Sequence, residues 1–404
     1  MKVEALKCRI CGKEFPSEAL YTCDNCFGPL EVKYNWDWIH DHASKEKIEK
    51  GPNSLWRYRD FLPVNGEPVD LGAGFTKFVR ATNLGKELGL KNLFLIDDSV
   101  NPTYSFKDRV VSVAVTKAKE FGMKAVGCAS TGNLAGSLSA HAAKANLPAY
   151  IFMPRGVEKG KIIQALVHGA KVIEVDGTYD DANRVATEVA EEHPDWGFVN
   201  INLRPYYAEG SKTLAYEAAE RLGWNLPDQV VVPMASGALL CAIYRGFRDL
   251  ERVGFVEERD VVFNGSQPYG LPISKAVKYG GSIEPVRKMD TLVHSLAIGN
   301  PADGIFAKDI IEKTGGFAED PTDKDAIEAV KLLAKTEGIF TELAGGVTIA
   351  GLKRLVEDGR IDKSEVVVVY LTGNGLKTGE AVLDYLDDTI KIKPRLEEFE
   401  EVVA

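Results

Sequence analysis

Residues 93–109 read LFLIDDSVNPTYSFKDR. A short apolar run without helical spacing passes through a polar turn containing proline and then enters the amphipathic segment Asp108–Phe121. That is a strand, a loop and a helix. The unit recurs outward from this stretch. AVGCA (125–129), AYIFM (149–153), KVIEV (171–175), QVVVPM (229–234), DVVFNG (260–265) and EVVVVYL (365–371) are further β-rich runs, with helical stretches such as Tyr179–Glu192 between them. Continuous Val/Ile runs bounded by helices predict parallel strands covered on both faces. The expected fold is α/β, built as two doubly wound lobes. The sequence shows no internal repeat and no low-complexity tract.

The chain has 404 residues, 45% hydrophobic and 27% charged, which suits two or three domains with sizeable cores. No apolar run approaches the roughly 18 residues a membrane helix needs. The N-terminal MKVEALKCRICGKEF carries a charge every few residues and has no apolar core of a secretory signal, so a cytoplasmic protein without membrane contact is expected. With 49 basic and 59 acidic side chains the net charge is −10 and no basic stripe stands out, which excludes nucleic acid as the main partner. A small anionic substrate is compatible with that balance, because a pocket is set by local charge.

Cys8 and Cys11 form one pair two residues apart, Cys23 and Cys26 a second, with glycine following each pair at Gly12 and Gly28. Two such pairs separated by eleven residues offer four thiolates to one tetrahedral ion, a zinc-ribbon arrangement. Structural Zn2+ is the expected occupant, with iron as the competitor and disulfides or unliganded thiols as the bland readings. Cys128 and Cys241 lie in apolar runs and read as buried, inert thiols. The expected organisation is a zinc-ribbon-like module (1–33), a connector and the first part of a large domain (34–104), a small α/β domain (105–205), the rest of the large domain (206–385) and an acidic tail (386–404). Residues 34–70 read as an irregular connector, and RLEEFEEVVA at the end as a solvated helix or strand.

Four loops hold candidate chemistry, each at the carboxyl end of a predicted strand, where open α/β sheets bind ligands. In NPTYSFKDR, Lys107 stands at a helix N-terminus whose positive end disfavours its protonated form, so it could form a Schiff base with an aldehyde; the bland reading is a solvated lysine. ASTGNLAGS (129–137) exposes backbone N–H groups to an anion, or is an ordinary helix cap. MASGALL (234–240) could wrap a phosphate at the next helix, and LTGNGLK (371–377) closes the set.

NPTYSFKDR, ASTGNLAGS and LTGNGLK, in that order, resemble the motifs of fold-type-II pyridoxal-phosphate enzymes. SLAIGNPADG (295–304), NGSQPYGLPI (264–273) and ELAGGVTIAGL (342–352) are similar to its threonine synthase branch. The resemblance covers about residues 72–385. It implies that Lys107 holds pyridoxal 5'-phosphate and carries protons, that Asn133 hydrogen-bonds the ring hydroxyl oxygen, that Ala235, Ser236, Gly237, Ala238 and Leu239 form the cofactor-phosphate loop, and that Thr372 faces the pyridine nitrogen. Ser130, Thr131 and Gly132 would surround the substrate carboxylate. Asn202 and Arg204, in VNINLRPYYAEG (199–210), would bind the substrate phosphate, with Lys77, Arg109, Lys159 and Lys212 as other cations in reach. The chain departs from the family at three points: Tyr104 stands where glycine is common, the phosphate loop is poorer in Gly and Asn, and Leu134 follows STGN.

The resemblance implies a lyase that converts O-phospho-L-homoserine and water to L-threonine and phosphate, acting as a homodimer. The alternatives are a sister reaction on the same cofactor, such as sulfite replacing the phosphate of phosphoserine or deamination of serine or threonine, and a non-catalytic zinc-ribbon protein. Under all of these a ribbon closed by four sulfurs would brace the fold more than serve the chemistry.

Overall fold

A computed structural model describes residues 1–287 and 289–403. The larger sheet has six strands in the order Ala318–Glu319, Val262–Ser266, Gln229–Pro233, Val366–Leu371, Asn92–Asp97 and Lys77–Arg80, all parallel except the last pair. The smaller has four parallel strands in the order Lys171–Val175, Ala149–Pro154, Ala125–Ala129 and Trp196–Phe198. The α/β expectation holds, and every β-rich run singled out in the sequence is a strand of one of these sheets.

The central strand explains why those runs lack alternation. Val368 and Tyr370 enter one hydrophobic core while Val367, Val369 and Leu371 enter a second on the other face. Helices cover both sides, so neither set of side chains can be polar. Between the sheets runs the helix Lys107–Glu120, packed against Asn133–Ala145 and Arg204–Arg221. Its Arg109 is fully buried. The guanidinium donates to both oxygens of Asp98 at 2.7 Å, pairs with Glu217 at 2.7 Å and donates to Thr213 Oγ1 at 3.2 Å. One cation thus ties the end of a strand to a helix that begins more than 100 residues later in the chain.

The N-terminal segment forms a three-stranded antiparallel sheet, with Val3–Cys8 between Glu14–Phe15 and Leu30–Tyr34. Its Leu6, Val32 and Tyr34 belong to the same core as the body of the protein. Tyr34 OH donates to buried Glu209 at 2.9 Å, and Ser17 Oγ meets Tyr206 OH at 3.1 Å. The connector is not irregular. It contains helices Trp36–His42 and Lys45–Glu49 and the 3-10 turn Leu55–Phe61, each opened by a capping side chain: Asn35 accepts from Trp38 N, Ser44 from Lys47 N and Ser54 from Trp56 N. These caps were visible as residue types but the helices are too short for periodicity to register. The acidic end forms the exposed helix Leu396–Val403. No helix among the described residues is long and apolar enough to cross a membrane.

Candidate active site

All four loops meet in one cavity of about 530 Å³, lined by Lys107, Ser130, Thr131, Asn133, the run Ala235–Leu239 and Thr372 among others. The convergence follows from parallel strands ending on one side of each sheet. Lys107 is the first residue of its helix, half-buried, and its Nζ donates to Tyr207 OH at 3.1 Å. Burial pulls its ammonium down to about 8, against the opposing pull of Glu342. That leaves an appreciable fraction of free amine near neutrality, the form able to attack a carbonyl.

In the ASTGN loop the Ser130 hydroxyl accepts from Gly132 N at 2.9 Å and Ala135 N at 3.1 Å, fixing the turn. Gly132 has φ +140°, and a Cβ there would stand 2.1 Å from Lys161 Cδ. The helix Asn133–Ala145 opens directly after it. Asn133 Nδ2 donates to both oxygens of buried Glu342 at 3.0 Å, while its Oδ1 is buried with no partner among the described residues. Thr372 is buried at the cavity wall, and its carbonyl accepts from Phe106 N at 3.0 Å. Gly237 has φ +90°, and a Cβ there would lie 2.8 Å from Ala307 Cβ. It precedes the helix Ala238–Arg252, whose first N–H groups have no intrahelical acceptor. A lysine with a lowered pKa, an amide oxygen left without a partner and a glycine turn with free N–H groups at a helix N-terminus fit a phosphorylated aldehyde bearing a ring hydroxyl.

Tyr104 adopts φ +64°, with its N–H donating to Asn101 O and its carbonyl accepting from Asn374 N. The left-handed backbone accounts for the glycine expected there. Because the side chain is 53% exposed, little packing depends on it. Tyr104→Gly is expected to raise stability by about 0.5–1 kcal/mol, read as an upward shift in the urea midpoint at unchanged slope.

The substrate side departs from expectation at Asn202. Its Oδ1 accepts from Phe198 N at 2.7 Å and its Nδ2 donates to Trp196 O at 3.0 Å, so both ends of the amide hold the local turn and it does not line the cavity. Asn200 lines it instead, bonded to both backbone groups of Ala129. Among the cations, Arg109 is committed to Asp98 and Glu217, and Lys212 to Glu209 and Asp249 at 2.7 and 3.0 Å. Lys77 stands on the exposed edge strand and Lys159 on the outer surface. Only Arg204 of that group lines the cavity, where its Nη2 meets Asp303 Oδ2 at 2.6 Å.

Sequence reasoning missed Arg9, Tyr207, Asp303 and Glu342, all of which line the cavity. Asp303 and Glu342 sit inside the quoted IGNPADG and ELAGG segments, the one signal that could have found them. The four cysteine sulfurs lie within 4.8 Å of one another, with Cys8 to Cys26 at 3.4 Å and Cys11 to Cys23 at 3.6 Å. A tetrahedral ion with sulfurs at about 2.3 Å needs edges of about 3.8 Å, so the donor set fits zinc. Cys128 and Cys241 are buried, and burial pushes the second thiol up to about 11.

The family model described as pyridoxal-phosphate dependent enzyme matches residues 69–373, and the chain belongs to that family. Within it, the threonine synthase of Methanocaldococcus jannaschii is 41% identical over 392 residues, covering 96% of each chain. That of Methanosarcina acetivorans is 37% identical over 401 residues and 98% of each, and that of Mycobacterium tuberculosis 34% over 335 residues, 82% of this chain and 90% of its own. Among solved structures, the processed threonine deaminase isoform 2 of Solanum lycopersicum superposes with a TM-score of 0.64 at 20% identity, covering 82% of this chain and 94% of its own. Diaminopropionate ammonia lyase of Escherichia coli gives 0.65 at 19%, covering 80% and 95%.

Proposed function

We infer that this chain is a pyridoxal-phosphate-dependent lyase that converts O-phospho-L-homoserine and water to L-threonine and phosphate. The observation that carries the reading is the 41% identity to a threonine synthase across 96% of both chains. The cavity supports it with a low-pKa lysine between two helix N-termini. The same reading includes one structural zinc ion on Cys8, Cys11, Cys23 and Cys26 and a homodimer in the cytoplasm.

Bound pyridoxal phosphate supplies the delocalisation that makes substrate C–H bonds acidic. The chain's own residues do the rest. Lys107 Nζ would hold the aldehyde group and would carry protons at the substrate's α and β carbons. The turn Ala235–Leu239 holds the cofactor phosphate, with Ser236 and Gly237 as its contacts. Asn133, its Nδ2 held by Glu342, would accept from the ring hydroxyl through its free Oδ1. Thr372 would offer the ring nitrogen a neutral hydroxyl, which favours its protonation less than a carboxylate would. Ser130, Thr131 and Gly132, at the opening of the helix Asn133–Ala145, hold the substrate carboxylate.

Incubation with O-phosphohomoserine, and separately with phosphoserine plus sulfite, tests the reading by phosphate release and amino-acid product. Threonine from the first supports it. Cysteate from the second, with no product from the first, replaces it by the sister reaction. The lysine also sets a pH dependence. Because burial lowers the Lys107 pKa to about 8, loading of apoprotein with the cofactor is expected to speed up as pH rises towards 8 and level off above it. A rate still climbing tenfold per pH unit beyond 9 would contradict that environment. Stopped-flow absorbance at a series of pH values measures it.

A further inference from the structure

Arg9 stands between Cys8 and Cys11 in the metal-binding module, yet its side chain lines the same cavity as Lys107. Its Nη1 lies 2.7 Å from Asp303 Oδ1, while Arg204 Nη2 lies 2.6 Å from Asp303 Oδ2. A single carboxylate therefore holds two guanidiniums side by side, one on each oxygen. The Arg9 guanidinium also stacks on the Phe306 ring at 3.7 Å, which fixes its plane. Side-chain exposures of 13% for Arg9, 33% for Arg204 and 7% for Asp303 put the trio at the cavity wall, sheltered from bulk water.

The two guanidiniums keep hydrogen-bond donors for an anion. Glu31, 3.8 Å from Arg9 Nε, is engaged by Arg245 at 3.0 Å. Arg245 also lies 3.6 Å from buried Glu209, so acids and bases on this wall are balanced, and what it offers an anion is unused donor capacity. A guanidinium carries five N–H donors, and Asp303 occupies one nitrogen of each, so both arginines keep donors for a second acceptor. Phosphate oxygens match that paired-fork geometry.

We propose that Arg9, delivered by the four-cysteine module, binds the phosphate of the substrate together with Arg204, with Asp303 holding the two guanidiniums in place. This rests on the reading above that the substrate is a phosphate ester. The module is then a wall of the active site as well as a brace. Ordering of the Cys8–Cys11 turn by the metal fixes where Arg9 points, so metal content and substrate affinity are linked.

The test uses full-length holoenzyme carrying Arg9→Ala or Arg9→Gln, with three readouts: KM for O-phosphohomoserine, Kd for inorganic phosphate by calorimetry, and the visible absorbance of bound cofactor. A charge-assisted contact to phosphate contributes roughly ten- to a hundredfold in binding. The expected result is a rise of that order in both KM and the phosphate Kd, falling on KM rather than kcat, with the cofactor absorbance at wild-type intensity. Arg9→Gln keeps a polar side chain in the turn but ends at the position of the Arg9 Nε without charge, so it reads the phosphate contact even if Arg9→Ala disturbs the module. Stripping the metal from wild-type protein with a chelator is expected to raise the phosphate Kd in the same direction. A folded Arg9→Gln with wild-type KM and wild-type phosphate Kd would overturn the proposal while leaving the threonine synthase reading intact. Wild-type protein that binds inorganic phosphate but does not turn over O-phosphohomoserine would instead overturn that reading, and the phosphate Kd would still decide the role of Arg9.

Discussion

Lys107→Ala leaves a folded protein that has lost the visible absorbance of covalently held cofactor and whose turnover falls by about 10⁴-fold or more. The expectation follows from where the side chain sits. Lys107 Nζ reaches into the cavity with one protein partner, Tyr207 OH, and lies 4.5 Å from the Phe106 ring centroid. Truncation removes the amine without breaking an ion pair, and the helix it opens gains alanine's propensity. Thermal stability of the apoprotein should therefore stay within about 1 kcal/mol of wild type. Retention of both absorbance and rate would show that another group holds the cofactor. Absorbance spectra and phosphate release on the same preparation decide it.

Arg109→Met is the opposite case, a large loss of stability away from the reacting atoms. The wild-type guanidinium is fully buried and holds both Asp98 and Glu217. Removing it leaves two carboxylates facing each other without a counter-charge, and breaking a buried pair in this way costs about 3–5 kcal/mol. The pH dependence gives a second check. Burial already pushes the Glu217 carboxyl up, and Arg109 is what opposes that shift. Without Arg109, the folded-state pKa of Glu217 rises further above its unfolded value, so the folded variant binds a proton more readily than the unfolded chain. The penalty is then relieved at low pH and grows as pH rises through the carboxylate range. Denaturant unfolding at pH 5 and pH 8 should show the smaller difference from wild type at pH 5. Equal differences would mean that the two acids are solvated or otherwise paired.

The strands and the loops following them were readable because both signals are local. A run such as EVVVVYL is buried on both faces and cannot hide its pattern; Asn133, Gly237 and Thr372 each lie within four residues of a strand end, and Lys107 opens the helix that follows the strand Asn92–Asp97. What was not legible is tertiary in origin. Asn202 has the chemistry of a ligand-binding amide, but its neighbours Trp196 and Phe198 supply both of its hydrogen bonds. Arg109 and Lys212 looked like free cations until the fold brought acids from other elements against them. Arg9 was masked by the cysteines around it. Its role depends on Asp303, a contact across 294 positions of sequence that no window of residues can reveal.

The strand order of the larger sheet constrains how the chain reaches its native state. Asn92–Asp97 pairs with Val366–Leu371, its neighbour toward the centre of the sheet, which lies 274 residues later in the chain. At synthesis rates of about 5–20 residues per second, roughly 15–55 s separate the emergence of the two partners from the ribosome. During that interval Asn92–Asp97, joined halfway through by Gln229–Pro233, presents an unpaired apolar edge where the central strand will insert. The smaller sheet has no such wait, since its four strands fall between residues 125 and 198. Nascent chains should therefore acquire protease resistance first in that segment, and the long-exposed edges of the larger sheet mark where a stalled or truncated chain would aggregate.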